Sequence, residues 1–140
     1  MKMDEGFTFV ETIIVLAIIL ILSATIGVSG SKYIDQSRKS AATTEIAMYT
    51  NALNSYYYDC GVFPAEYQGL VALWEKPDVH PVPENWQGPY VNKEPSTDPW
   101  GRAYIYKDIN EAGLPFSIIC SGADGVEFGG ELDDNIYSWK

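Results

Sequence analysis

Hydrophobic positions follow two different patterns along the first part of the chain. From Phe7 to Val28 they are nearly continuous, a run of about 22 residues. At 1.5 Å per residue in a helix this run spans roughly 33 Å, enough for the hydrocarbon core of a bilayer. From Lys32 to Tyr58 the pattern becomes periodic. Ile34, Ala41, Ala42, Met48, Tyr49, Ala52, Leu53 and Tyr56 recur at three- and four-residue intervals, and Asp35, Arg38, Lys39 and Glu45 fall largely outside that stripe. Neither Pro nor Gly interrupts the segment, so it predicts an amphipathic helix. Cys60-Gly61 supplies a stop, with Pro64 just beyond. The two patterns together predict one helix from about Thr8 to Asp59, apolar all round in its first half and one-faced in its second.

Beyond the helix the pattern breaks up. Residues 63–100 are rich in Pro and turn formers. Tyr67–Trp74 predicts one short helix, and Lys76–Glu84 an irregular surface loop. Asp98-Pro99-Trp100-Gly101 has the composition of a β-turn, with Pro second and Gly fourth. It leads into two β-prone runs, Ala103–Tyr106 and Phe116–Cys120, whose polar connection predicts an antiparallel hairpin. The expected fold is α+β, a long N-terminal helix packed against a small antiparallel sheet.

Composition narrows what such a chain can do. At 140 residues it holds one domain, and 9 basic against 19 acidic residues give a net charge of −10 with no basic patch. That argues against a nucleic-acid partner, which needs clustered Lys and Arg. Catalysis finds little footing. His80 is the only histidine and sits among prolines, and no nucleophile elbow, metal-binding His pair or phosphate-cradling Gly loop occurs. Cys60 and Cys120 are compatible either with one disulfide, closing a loop of about sixty residues, or with two buried free thiols.

Two clusters of charge stand out. Glu11 lies inside the apolar run, where a carboxylate is costly unless neutral or paired, and no Lys or Arg occurs between Phe7 and Ser31. Either it lies near the membrane edge and reaches the interface, or its partner comes from another subunit or a newly made N-terminal amine. No small-residue site follows the run as it would in a cleaved secretory signal, so the segment is expected to be kept. Near the other end, Asp124, Glu127, Glu131, Asp133 and Asp134 crowd into the Gly-rich stretch 121–135. Its spacing is not that of an EF-hand. Composition leaves two readings open, a solvated acidic loop or a calcium site with hard oxygen ligands.

The segment Gly6-Phe7-Thr8-Phe9-Val10-Glu11 resembles the processing site of type IV pilins and of the pseudopilins of type II secretion. The resemblance implies cleavage by a prepilin peptidase between Gly6 and Phe7 and N-methylation of Phe7. It also implies that Glu11 pairs with the N-terminal amine of a neighbouring subunit during assembly. Val28 stands where many members carry a proline, and Gly27 and Gly30 flank it. Further along, Asp59-Cys-Gly-Val-Phe-Pro64, Tyr67-Gln-Gly-Leu70, Lys76-Pro77, Gly88-Pro-Tyr90, Asp98-Pro-Trp-Gly101 and Ser121-Gly-Ala-Asp-Gly125 follow the order of the major pseudopilins. Cys60 replaces a usual asparagine there, and Cys120 is a second departure.

That narrower resemblance implies a calcium cofactor held through Asp124, Asp133 and Asp134; Glu127 and Glu131 have no clear counterpart. It also implies a leader over 1–6, a transmembrane and assembly helix over 7–30 and a periplasmic pilin-like domain over 31–140. The expected function is that of a structural subunit forming a homo-oligomeric helical filament, the periplasmic pseudopilus. Its expected partners are the prepilin peptidase, the inner membrane with its assembly platform, and minor pseudopilins. The alternatives are a type IV pilin of a surface fibre or a membrane-anchored binding module.

Overall fold

The computed structural model describes residues 8–108, 113–126 and 134–139, apart from the side chains of residues 24–30. One helix, α1, runs from Phe9 to Cys60. It ends as the sequence predicts: Gly61 takes a φ of 74°, and its N–H closes the last turn on the Tyr57 carbonyl at 2.8 Å. A side chain at that φ would be strained, which is why glycine serves as the stop. The chain divides into two compact units after Gln36, inside α1, and each is described separately.

In the first unit the helix carries Ile13, Ile14, Val15, Leu16, Ile18, Ile19, Leu20, Ile21 and Leu22, all exposed. These positions cover every side of the helix, and none of these described side chains is buried. Among the described residues no helix is long and apolar enough to cross a membrane. The described apolar side chains end at Leu22, with Ser23 after them, whereas the sequence carries the apolar run on to Val28.

In the second unit α1 has one buried face, formed by Ala42, Ile46, Tyr49, Ala52, Leu53 and Tyr56. The spacing of three and four residues keeps these side chains in line along the cylinder. Two residues of the expected stripe do not belong to it: Ile34 is exposed, lying before the domain begins, and Ala41 is one position out of phase, also exposed. Ile46 takes the place that the phase requires. The stripe joins a core with Leu70, Leu73, Val91, Tyr106, Phe116 and Ile118.

Three strands form an antiparallel sheet in the order β1-β2-β3, with β1 at Ile105–Lys107, β2 at Ser117–Cys120 and β3 at Ile136–Tyr137. The expected hairpin is β1–β2, with Ile105 opposite Ile119 and Lys107 opposite Ser117. Every residue of β2 is buried, as a central strand covered on both faces should be. The third strand was not expected. It pairs Ile119 with Tyr137 and Cys120 with Ile136. Ser138 extends the pairing, its N–H donating to the Ile118 carbonyl at 3.0 Å and its Oγ accepting from the Ile118 N–H at 3.1 Å.

The helix expected over Tyr67–Trp74 is shorter and tighter, a 3-10 turn at Leu70–Leu73. It buries Leu70, Ala72 and Leu73. The Pro-rich loop is fastened to this region by polar side chains. Gln68 donates to the carbonyls of Val79 and Pro81, Tyr67 to that of His80, and the Trp86 indole to that of Ala72 at 3.0 Å. His80 is thus an exposed loop residue whose carbonyl is used.

The disulfide allowed by the sequence does not form, and both cysteines are free. Cys60 ends α1, its Sγ 4.0 Å from the Tyr90 hydroxyl, while Cys120 ends β2 and donates to Asp98 Oδ2 at 3.2 Å. Each thiol is engaged by a different neighbour. Burial raises the Cys120 thiol to about 12, so it is held as a neutral donor to the Asp98 carboxylate.

Candidate functional site

The N-terminal site centres on Glu11. Gly6 and Phe7, the expected processing residues, lie outside the described residues. Thr8 immediately precedes α1, and Glu11 follows three positions later. The Thr8 Oγ1 accepts from the Glu11 N–H at 3.3 Å, and Glu11 Oε2 accepts from the Thr8 N–H and hydroxyl, each at 3.4 Å. The arrangement is a capping box, two otherwise unpartnered helix N–H groups satisfied reciprocally. Reading Glu11 only as a carboxylate in want of a cation overlooked this local role. The Thr-x-x-Glu spacing at a helix start was the signal that could have found it. The same geometry holds the carboxylate beside the first residues of the helix, where the macrodipole also favours negative charge.

The second site is the C-terminal loop. Of its acidic residues the structure describes Asp124 and Asp134; Glu127, Glu131 and Asp133 lie outside the described residues. Asp124 is exposed, and its Oδ1 accepts from the Val126 N–H at 3.1 Å. The turn carrying it and the chain at Asp134 are in close contact. A Cβ at Gly122, whose φ is 62°, would collide with the Asp134 carbonyl oxygen. Only glycine allows the two arms of the loop to meet here.

Two cations from distant parts of the chain are brought to this loop. The Arg102 guanidinium donates to the carbonyl of Gly122 at 2.5 Å and to that of Ala123 at 3.3 Å. It passes so near Gly125 that a Cβ there would lie 2.6 Å from the guanidinium carbon. Arg102 is aimed by the Asp98–Gly101 turn. Asp98, only 4% exposed, accepts at Oδ1 from the N–H groups of Trp100 and Arg102 at 2.9 and 2.8 Å. Its backbone N–H donates to the Arg102 carbonyl, and its carbonyl accepts from Gly101. On the other arm, Lys39 of α1 reaches Asp134, with Nζ 2.6 Å from Oδ1. Lys140 is the only basic residue near this stretch in sequence, and the fold supplies Arg102 and Lys39 from distant segments.

Among the described residues no three His, Cys, Asp or Glu side chains converge on one point. The donors described here are nonetheless hard oxygens, the carboxylates of Asp124 and Asp134, while the Gly122 and Ala123 carbonyls of the glycine turn are engaged by Arg102. Their two arms are held in contact at Gly122. A donor set of this chemistry fits calcium, which accepts carboxylates and carbonyls in irregular geometry.

Comparison with known proteins bears on both sites. Residues 1–27 match the prokaryotic N-terminal methylation motif, and residues 31–139 match the family described as type II secretion system protein G. The type II secretion system core protein G of Pseudomonas aeruginosa is 35% identical over 138 residues, covering 99% of this chain and 96% of that protein. That of Vibrio cholerae is 34% identical over 143 residues, covering 100% of this chain and 94% of its relative. The crystal structure of the major pseudopilin from the type 2 secretion system of enterohaemorrhagic Escherichia coli superposes with a TM-score of 0.63. It is 29% identical, and the match covers 79% of this chain and 92% of that one. With the long helix, the small antiparallel sheet and the motif at its N-terminus all accounted for, the chain belongs to the type II secretion system protein G family, the major pseudopilins.

Proposed function

We propose that this chain is a non-catalytic subunit cut between Gly6 and Phe7, N-methylated at Phe7, and polymerised through its N-terminal helix into a periplasmic pseudopilus. Before assembly residues 7–30 anchor it in the inner membrane by a single span, with the globular domain in the periplasm. The observation that carries this reading is the first half of α1. It is apolar on every side, and its one carboxylate, Glu11, has no basic residue within the run. A helix of that kind needs cover from lipid or from copies of itself. Cleavage at Gly6 creates an amine two residues before the start of α1, and Glu11 of an adjoining subunit would neutralise it. Prepilin peptidase, the assembly platform and the minor pseudopilins are the partners this reading requires.

Glu11→Gln tests it cleanly. Glutamine preserves the capping box, because its side-chain oxygen still accepts from Thr8, but it abolishes the charge. The variant is expected to be cut and inserted normally yet to give no filaments by electron microscopy of cells overexpressing it, under conditions where the wild type does. Filaments at wild-type level would overturn charge pairing as the basis of assembly. Intact mass should show loss of residues 1–6 and one added methyl group; an uncut N-terminus would sink the pilin-like reading altogether.

We further propose that the C-terminal loop takes calcium through Asp124, Asp133 and Asp134. The ion would supply the counter-charge that fastens the acidic arms together. Chelation should lower the melting temperature of the detergent-solubilised full chain, and Asp124→Ala should remove most of the difference between chelated and calcium-loaded protein. Equal melting with and without chelator in both proteins would exclude the site.

A further inference from the structure

We propose that Lys39 is the resident cation of the C-terminal loop: it neutralises Asp134 when no metal is bound and competes with calcium for that carboxylate. The inference rests on the calcium reading of the loop given above. Its basis is an ion pair formed across 95 positions of sequence, with Lys39 Nζ 2.6 Å from Asp134 Oδ1. The two side chains are 39% and 24% exposed. The pair is therefore partly shielded from solvent, and screening weakens it less than a fully exposed pair.

The position of Lys39 follows from the helix. Lys39 precedes Ala42 by three residues, so it continues the line Ala42–Ile46–Tyr49 by one more turn. Where that line leaves the core, an ammonium group replaces an apolar side chain. Lys39 belongs to a long helix and is presented from a fixed base, whereas Asp134 belongs to a loop. The other arm has its own cation, because Arg102 holds the carbonyls of Gly122 and Ala123. Contact between the arms at Gly122 and Asp134 then joins the two cationic anchors into one closed loop.

This arrangement has a definite electrostatic consequence. A divalent cation that uses Asp134 must share its carboxylate with an ammonium group already at contact distance. The two positive charges repel, and the bound metal is the larger local charge. Calcium binding is weakened by the need to loosen Lys39, and removing the ammonium relieves that competition. The metal-free loop, by contrast, keeps a counter-charge of its own. The domain is therefore expected to stay folded at low calcium and to exchange one counter-ion for the other as calcium rises.

The experiment uses the full chain in detergent, titrated with calcium chloride by calorimetry and melted with calcium or with chelator. Wild type is compared with Lys39→Met, which keeps the aliphatic stem, with Lys39→Arg, which keeps the charge, and with Asp124→Asn. Lys39→Met is expected to bind calcium about three- to tenfold more tightly. It should also show a larger drop in melting temperature on chelation, because its metal-free loop has lost its cation. Lys39→Arg should restore near wild-type affinity. If Lys39→Met leaves affinity unchanged and lowers melting equally with and without calcium, the pair is a plain structural contact and competition is refuted. If neither wild type nor any variant takes up calcium, and Asp124→Asn changes nothing, the calcium reading fails and the competition fails with it. That outcome is distinct from the previous one, in which calcium still binds.

Discussion

The two halves of α1 have the same backbone and opposite fates. From Phe9 to Leu22 the large apolar side chains are exposed, Phe9 by 81% and Leu20 by 70%. From Ala42 to Tyr56 the apolar side chains, apart from exposed Ala47 and half-buried Met48, lie on one face and are buried, Leu53 by 100% and Tyr49 by 99%. Hydrophobicity alone does not separate these outcomes, since both halves are rich in it. What differs is the placement of polar residues. In the second half Thr43, Thr44, Asn51, Asn54 and Ser55, all exposed, give the helix a side that water can wet, so the rest of the chain covers only the other side. Among the described side chains from Phe9 to Leu22 no such wettable side is present, and a helix of that kind is covered by lipid or by other copies when it leaves water.

The sharpest way to break this contrast is to cut the same side chain on each half. Leu53→Ala removes a fully buried leucine and should cost about 3 kcal/mol of domain stability, within the range of about 2–5 found for such cavities. Leu20→Ala should change the same urea transition, followed by tryptophan fluorescence in detergent, by less than about 0.5 kcal/mol. Equal effects would mean that the first half contributes to the fold of the domain, contrary to the exposure of its side chains. A second test lies at the turn that aims Arg102. Asp98 is buried and accepts from two backbone N–H groups and from the Cys120 thiol. Asp98→Ala leaves those donors without an acceptor and should cost about 1–3 kcal/mol in the same urea measurement.

Much of this was legible in the sequence because it rested on period and punctuation. The two hydrophobic patterns, the stop at Gly61, the Asp98–Gly101 turn and the β1–β2 hairpin are local signals, and each follows from neighbouring residues. The misses have physical causes of another kind. Ile34 has helical spacing but precedes the domain, and Ala41 sits 100° around the helix from Ala42, which spacing counts of three and four do not distinguish. Strand β3 is two residues long, too short for alternation to show, and exists because β2 has an open edge beside it. The candidate sites divide in the same way. Glu11 and the acidic loop were visible as charges out of place. Lys39 and Arg102 were not, because only the fold brings residue 39 to residue 134 and residue 102 to residue 122.

Alkali should separate the two halves by their titratable groups. Burial is the main cause that raises Tyr49, Tyr56, Tyr90, Tyr104 and Tyr106 above the usual phenol value of 10.0, Tyr56 to about 12. Glu45, whose Oε2 accepts from the Tyr104 hydroxyl at 2.7 Å, raises Tyr104 further. Below about pH 9 both folded and unfolded chains keep these protons, and stability does not depend on them. As pH rises through the unfolded values, the unfolded chain releases protons that the folded domain retains, so stability falls. Residues 9–22 contain neither Tyr nor Cys. In detergent, near-ultraviolet dichroism of the domain is therefore expected to collapse between about pH 9 and 12. A substantial helical signal should survive from the first half. Simultaneous loss of both signals would show that the halves melt together.

The smallest expected effect concerns the two thiols, which mark the end of the one-faced half of α1 and the end of the central strand. Burial raises both above the ordinary thiol value of 9.0, and Cys120 is the more enclosed. Because the thiolate is the reactive form, neither should be alkylated quickly at pH 8 in the folded chain. Cys60 is half-buried at a helix terminus, where local fraying is enough to expose it. It should react first, at a rate insensitive to Asp98→Ala. Cys120 lies in a strand paired on both sides, so its labelling requires the sheet to open and should accelerate in step with the stability lost in Asp98→Ala. Denatured protein that has seen no reductant should take up two alkyl groups per chain, by mass. No uptake would mean that the cysteines are bonded after all, and a Cys60 that waits for global unfolding would place the end of α1 inside the cooperative core.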